Sequence, residues 1–233
     1  FYVFSGFFNC NTCTFPFGIS SVLDGQQYSY DGSTVRHYEE NYCKNLSIMD
    51  LKKILPTDGP PVDEVLRYVE KYKKEIIVIK YGGNVFIDRK IFDNFIKDLS
   101  VLNKLGLQVV VVHGGGPRIK RELTKQKIES KFIRGLRVTD EKIINVVETV
   151  LIDFNDDIVN SLKKIGSKAV SLHTKKDNVI EIIPEQKELG FVGIPNKINT
   201  ETIFKKLKNN IIPIISPLGL GENKQTYNIN GDH

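Results

Sequence analysis

Two glycine-rich segments of this sequence have the composition of anion-binding turns. The first, Tyr81-Gly82-Gly83-Asn84, follows an apolar run that ends at Lys80. Paired glycines let backbone N–H groups approach a phosphate closely, and the lysine adds a positive charge. The segment lacks the Gly-Lys-Ser/Thr ending of a Walker A loop. It is therefore either a phosphate cradle of another kind or a plain tight turn.

The second segment, His113-Gly114-Gly115-Gly116, joins an apolar run to a predicted helix, whose amino terminus favours an anion. Its glycine spacing does not fit a dinucleotide fingerprint. The sequence also has no Gly-x-Ser-x-Gly elbow, which a lipase-type oxyanion loop would need. An anion-binding turn is the favoured interpretation. His113 itself is either a structural histidine at a strand end or an acid or base.

Alternating strands and helices must position these turns. Apolar, β-branched runs predict strands over residues 75–80, 107–112, 169–173 and 211–215. Amphipathic helices are predicted around them, with Asp63, Asp88 and Asp140 as amino-terminal caps. This alternation predicts an α/β fold, an open and mainly parallel sheet with helices on both faces. Ligands of such sheets bind beyond the carboxyl ends of the strands, where both glycine turns lie.

Composition excludes several classes of protein. Of the 233 residues, 40% are hydrophobic and 26% charged, as in ordinary globular proteins. Apolar runs such as residues 109–112 are far shorter than the roughly 20 residues of a membrane-spanning helix. The lysines alternate with acids and do not cluster with aromatic residues, so a nucleic-acid partner is not expected; the short apolar runs likewise predict no membrane partner. A net charge of +5 suits a protein that attracts anionic nucleotides and dicarboxylates.

Residues 1–48 differ in composition from the rest, because they hold all three cysteines and half of the aromatic residues. The sole methionine, Met49, begins a stretch that is typical of a native amino terminus. We therefore interpret residues 1–48 as an upstream or non-native leader, with an authentic appended segment as the alternative. Residues 49–74 would then form an amino-terminal arm and helix. Cys10 and Cys13 have the spacing of half a zinc site, but no second pair completes it, so unligated thiols are favoured.

Five segments occur in the order found in N-acetylglutamate kinases of the amino-acid kinase family. They are residues 78–84 (VIKYGGN), 111–117 (VVHGGGP), 135–139 (GLRVT), 190–193 (GFVG) and 227–230 (YNIN). Residues 63–233 resemble this family through these segments. The resemblance implies that residues 75–233 form the N-terminal, acetylglutamate-binding half of the fold. It also implies that a second half would lie beyond His233, so we expect the chain as written not to turn over.

The resemblance assigns the phosphoryl-transfer roles to residues near the first turn. Lys80 would stabilise the transferring phosphoryl group, and Gly82 and Gly83 would donate amides to the same group. Asp232 would orient the catalytic lysines. Phosphoryl transfer depends mostly on positioning and charge stabilisation, so these residue types suit the chemistry.

The resemblance assigns substrate binding to a second set of residues. Gly115 and Gly116 would hold the acetylglutamate, and Asn228 would hydrogen-bond to it. Arg137 would pair with a substrate carboxylate, which a guanidinium can grip through two parallel hydrogen bonds.

The implied activity is ATP-dependent phosphorylation of the γ-carboxylate of N-acetyl-L-glutamate in arginine biosynthesis, in the cytoplasm. Mg²⁺ would arrive with ATP, so no protein metal ligands are predicted. The implied assembly is a homodimer, or a hexamer through the helix of residues 62–73; alternatively, that helix merely covers the sheet. Another amino-acid kinase and a non-catalytic acetylglutamate-binding module are the alternative functions.

Overall fold

The computed structural model describes residues 2–5, 48–55, 57, 59–82 and 88–232. Its central sheet contains β1 (Tyr2–Ser5), β2 (Ile76–Tyr81), β3 (Gln108–His113), β6 (Ala169–Leu172) and β9 (Ile212–Ile215). The strand order is β1, β2, β3, β9, β6, and every neighbouring pair is parallel. The predicted α/β class and parallel sheet are thereby confirmed.

Six α-helices lie in the described ranges. They are α1 (Ile48–Ile54), α2 (Val62–Tyr72), α3 (Arg89–Lys104), α4 (Gly116–Lys125), α5 (Glu141–Lys164) and α6 (Thr200–Lys208). Asp88 and Asp140 cap α3 and α5 as predicted, accepting from the N–H groups of Lys90 at 2.7 Å and Ile143 at 2.8 Å. The prediction for Asp63 is wrong. Pro61 precedes α2 without a side-chain cap, and Asp63 lies inside the first turn, where its charge favours the helix dipole.

Both faces of the sheet are covered, by different elements. On one face, apolar residues of α3 and α5 pack against β2, β3 and β9, with Leu99, Phe154 and Ile214 at most 1% exposed. On the other face, α6 and a small barrel pack against Val110 and Ile215. The helix α4 packs against α5 through a third apolar cluster that includes Leu151.

The small barrel is a feature that the sequence did not predict. It contains β7 (Ile180–Pro184), β8 (Val192–Ile198), β10 (Leu218–Leu220) and β11 (Thr226–Ile229), closed in the order β10, β11, β8, β7. The pairs β7/β8 and β10/β11 are antiparallel, and parallel pairing joins β11 to β8 and β10 to β7. A separate hairpin, β4 (Phe132–Ile133) and β5 (Leu136–Arg137), precedes α5.

The leader predicted over residues 1–48 lies almost wholly outside the described residues. The structure describes only residues 2–5, as the edge strand β1, and residue 48 at the start of α1. Cys10 and Cys13 also lie outside the described part. Among the helices of the described residues, none has the length and apolar character that a membrane span requires.

Candidate active site

The described start of the first glycine turn lies beside the second turn, at the carboxyl edge of the parallel sheet. Tyr81 of β2 is in register with His113 of β3, and the Gly114 N–H donates to the Tyr81 carbonyl oxygen at 2.9 Å. Gly82 is half-buried directly after β2, whereas Gly83 lies outside the described residues. The two segments with anion-binding composition are therefore neighbours at the edge where ligands of such sheets bind.

The second turn leads into α4 through glycines with different surroundings. Gly115 is the buried N-cap residue, and a Cβ there would lie 2.4 Å from Cδ2 of Leu151 on α5. Gly116 is exposed, and a Cβ there would meet no atom within 4 Å. Gly115 thus permits close packing against α5, and the exposed Gly116 lies at the amino end of α4, where a helix favours an anion.

Lys80 forms an ion pair with Asp232, across the edge of the sheet. A short turn places the aspartate: its N–H donates to Asn230 Oδ1 at 3.3 Å, and a Cβ on Gly231 would lie 3.8 Å from the His113 carbonyl oxygen. The Asp232 side chain is 63% exposed, so part of the carboxylate faces solvent. Burial lowers the pKa of Lys80, and contact with the carboxylate acts in the opposite direction.

Arg137 is held within its own hairpin. Its side chain is buried; Nη1 donates to Ser130 Oγ, and the guanidinium carbon lies 4.6 Å from the centre of the Phe132 ring. Burial lowers the pKa of Arg137 from its ordinary value. Neither Ser130 nor Phe132 is a predicted site residue, so these two contacts do not join Arg137 to the rest of the predicted site. The guanidinium nevertheless keeps donors for a carboxylate, because one hydroxyl accepts only one of its five N–H groups.

A chain of backbone hydrogen bonds links this hairpin to the strand that carries Asn228. Thr139 donates to the Leu189 carbonyl at 2.9 Å, and Phe191 donates to the Thr139 carbonyl at 2.7 Å. The Asn228 N–H then donates to the Phe191 carbonyl at 2.9 Å. The segments 135–139, 190–193 and 227–230 are therefore contiguous in space, although long stretches of sequence separate them.

The side-chain amide of Asn228 is half-buried on β11 and makes no hydrogen bond to the protein residues that the structure describes. Its backbone is fixed by pairing with Leu218 and Val192. The amide can therefore both donate to and accept from a ligand. The strand that holds this amide continues directly into the turn that carries Asp232, so one short segment contributes to both ends of the site.

Comparison with known proteins identifies the family. The sequence profile of the amino acid kinase family matches residues 75–233. The chain belongs to the amino acid kinase family. Curated relatives carry the name acetylglutamate kinase: the protein of Pelagibacter ubique is 50% identical over 183 residues, covering 78% of this chain and 64% of the relative. That of Clostridioides difficile is 42% identical over 171 residues, covering 72% and 60%. The predicted resemblance is thereby confirmed.

Solved structures place this chain in the same fold. The smu.665 protein of Streptococcus mutans matches with a TM-score of 0.59 and 32% identity, covering 67% of this chain and 64% of that one. The N-acetylglutamate synthase of Neisseria gonorrhoeae, complexed with coenzyme A and N-acetyl-glutamate, matches with a TM-score of 0.60 at 20% identity. This second match covers 73% of this chain and 41% of the synthase, and at this identity it bears on the fold alone. The chain spans about three fifths of the length of the curated relatives it matches.

Sequence reasoning missed a cluster around Glu148, which lies beside the candidate site. Glu148 Oε1 accepts from the hydroxyls of Thr226 at 2.7 Å and Thr174 at 2.8 Å, and Oε2 lies 2.9 Å from Lys175 Nζ. Burial opposes ionisation of Glu148, but these donors outweigh burial and lower its pKa. The cluster fastens the start of β11, and hence Asn228, to α5. No short motif signals it, because its members come from three separate segments.

In the described ranges, no group of three or more His, Cys, Asp or Glu side chains could hold a metal ion. The Asp232 carboxylate, at the same edge of the sheet, is paired with Lys80.

Proposed function

We propose that this protein transfers the γ-phosphoryl group of ATP to the γ-carboxylate of N-acetyl-L-glutamate, yielding N-acetylglutamyl 5-phosphate for arginine biosynthesis. The observation that supports it most is the ion pair of Lys80 and Asp232 beside two glycine turns. Curated relatives that carry the name acetylglutamate kinase, at up to 50% identity, support the choice of substrate.

At the phosphoryl end, Lys80 supplies positive charge to the oxygens of the transferring group. Its contact with Asp232 limits the rotation of a flexible four-carbon side chain, so the ammonium is already positioned before the reaction. Gly82, with Gly83, contributes N–H groups to the same oxygens. The substrate carboxylate itself attacks phosphorus, so the protein needs no nucleophile of its own.

At the substrate end, Arg137 pairs with the α-carboxylate, and the Asn228 amide binds a polar group of the acetylated amino acid. Gly115 and Gly116 present the open amino end of α4 to the substrate. The elements that carry these groups adjoin one another through the Thr139 to Asn228 hydrogen-bond chain. We further propose that ATP brings Mg²⁺ with it, and that the protein acts as a cytoplasmic homodimer.

The decisive assay is formation of acylphosphate, trapped by hydroxylamine as a hydroxamate, by the full-length gene product. We expect N-acetyl-L-glutamate to be phosphorylated, and glutamate, aspartate and carbamate to react far more slowly. Preference for one of those three acceptors would instead favour another amino-acid kinase. Binding of N-acetyl-L-glutamate without any turnover would favour the non-catalytic module. The chain of 233 residues, assayed alone, is the matched control, and we expect it to be inactive.

A further inference from the structure

Three polar side chains lie inside the apolar core, directly beneath the second glycine turn. His113 and Asn155 are 0% exposed and Ser171 is 2% exposed. Polar groups at such depth cost free energy unless they are hydrogen-bonded. Here they bond to one another, and the pattern of donors fixes the orientation of the amide and the proton on one ring nitrogen.

The main-chain carbonyl of Ile214 determines the orientation of the Asn155 amide. That oxygen can only accept, and Asn155 Nδ2 lies 2.9 Å from it. Nδ2 also donates to Ser171 Oγ at 2.6 Å. Oδ1 must therefore be the atom that faces His113 Nε2 at 2.8 Å.

The imidazole is consequently protonated at Nε2, because Asn155 Oδ1 has no hydrogen to donate. Its Nδ1 lies 3.4 Å from the Gly114 carbonyl oxygen, which also has none. Burial lowers the pKa of His113 to about 4, so the ring is neutral near neutral pH. Hydrogen bonds to Asn155 and Gly114 oppose this shift, and the charge of Arg118 on α4 adds to it.

The described neighbours of the ring include two aromatic side chains and one ion pair. The edge of Phe154 on α5 meets the imidazole with ring centres 4.6 Å apart, and Arg118 lies over the same Phe154 ring while pairing with Asp157. On β2 the register neighbour is Tyr81. Burial raises the pKa of this tyrosine, so it stays protonated.

Asn155 therefore connects one helix to three parallel strands at their carboxyl ends: His113 on β3, Ser171 on β6 and Ile214 on β9. One turn earlier on the same helix, Leu151 fills the space beside Gly115. Any shift of α5 or of the histidine would move the backbone of residues 114–116, which follows His113 directly.

We propose that Asn155 is a positioning residue which, through a His113 ring protonated at Nε2, holds the Gly114 to Gly116 turn in its anion-binding geometry. This inference rests on the proposed function for the identity of the anion. It also excludes His113 as the acid or base that the sequence left open.

The first test needs no substrate. Nitrogen-15 NMR of the histidine rings in the full-length protein distinguishes the two neutral tautomers and the imidazolium. We expect the His113 ring to be the Nε2–H tautomer near neutral pH and to stay neutral well below the usual histidine pKa. An Nδ1–H tautomer or an imidazolium would overturn the proposal.

The second test compares Asn155→Asp with Asn145→Asp, a matched change at an exposed position of the same helix. A carboxylate at position 155 cannot donate to the Ile214 carbonyl. It also favours a charged His113. Both changes should displace the Gly114 to Gly116 turn, so N-acetyl-L-glutamate affinity should fall about tenfold or more. The affinity of Asn155→Asp should also vary with pH in the histidine range, whereas Asn145→Asp should match the wild type.

A second pair of variants covers the case in which Asn155→Asp fails to fold. Gln at position 113 keeps a neutral N–H donor for Asn155 Oδ1, and Leu does not. We expect His113→Gln to rescue most of the affinity and the turnover that His113→Leu loses; an equal loss in both would overturn the proposal. If the wild type does not bind N-acetyl-L-glutamate at all, the proposed function fails. In that case NMR still tests the positioning role, through the His113 tautomer of the wild type and the backbone amide shifts of Gly115 and Gly116 in the variants.

Discussion

The polar side chains of the site differ in how firmly the protein itself already holds them. Lys80 is engaged by Asp232, and Arg137 by Ser130 and the Phe132 ring. The Asn228 amide, by contrast, bonds to no described protein group. Groups that are held in advance lose less side-chain entropy on binding, so the charged residues are the preorganised part of the site.

Arg137→Lys tests whether the Arg137 guanidinium binds a substrate carboxylate. A lysine keeps the charge but not the two parallel donors, so N-acetyl-L-glutamate affinity should fall by about 10-fold to 100-fold. Arg134→Lys, at the exposed tip of the same hairpin, is the matched control and should bind normally. Calorimetric titration measures both variants. Equal affinities would remove Arg137 from the site.

Asp232→Asn tests whether the aspartate orients Lys80. Losing the ion pair should lower kcat of the full-length protein by about 10-fold to 100-fold, because a displaced ammonium stabilises the phosphoryl group poorly. The free energy of unfolding should change by less than about 1 kcal/mol, since the Asp232 carboxylate is 63% exposed. Steady-state kinetics and denaturant unfolding give the two quantities. Asp93→Asn, which breaks an exposed ion pair with Arg89, should leave kcat unchanged.

Sequence reasoning found the residues that stand inside short motifs, such as Lys80, Arg137 and Asn228. It could not find the residues that hold these motifs in place. Glu148 meets Thr226, and Asn155 meets His113, only because α5 crosses the sheet and lies beside strands from distant segments. Such contacts leave no spacing pattern in a single sequence, so only the folded chain reveals them.

Elements whose signals are local were predictable from the sequence. The parallel strands are continuous apolar runs, and α3 and α5 begin at capping aspartates. The prediction that Asp63 caps α2 was wrong because Pro61, directly before Val62, already sets the start of the helix. The barrel escaped prediction because β10 and β11 are only three and four residues long. Its closure also depends on parallel pairs between distant strands.

Gly190→Ala tests the junction between the Arg137 hairpin and the barrel. Gly190 has a φ of 70°, and a Cβ there would lie 2.3 Å from the Thr139 carbonyl oxygen. Both effects oppose a side chain, so the free energy of unfolding should fall by roughly 3 kcal/mol. Gly166→Ala has a similar φ of 83° but open space around it, and should cost only about 1 kcal/mol. Urea unfolding compares the two, and equal losses would contradict the close-contact argument.

At the scale of the whole molecule, the buried His113 makes stability depend on pH. Burial lowers its pKa to about 4, from 6.5 in the unfolded chain. Between pH 6.5 and about 4 the unfolded chain binds more protons than the folded chain. The contribution of His113 to the free energy of unfolding is therefore fully present above pH 6.5 and is lost as the pH falls toward about 4. The loss attributable to this group is roughly 3 kcal/mol.

Urea unfolding as a function of pH checks this expectation. His113→Gln cannot titrate, so the decline over this range should become shallower than in the wild type. His173→Gln measures the share of the second buried histidine, whose pKa is also lowered by burial. An unchanged slope in His113→Gln would mean that the ring is not held neutral.

The proposed function requires that the five segments assemble a pocket for N-acetyl-L-glutamate. Calorimetric titration of the full-length protein with N-acetyl-L-glutamate and with L-glutamate tests it most directly. The amino group of free glutamate is a cation that would enter a site already containing Lys80 and Arg137, so we expect it to bind at least about tenfold more weakly. Equal affinity for the two ligands would contradict the assignment.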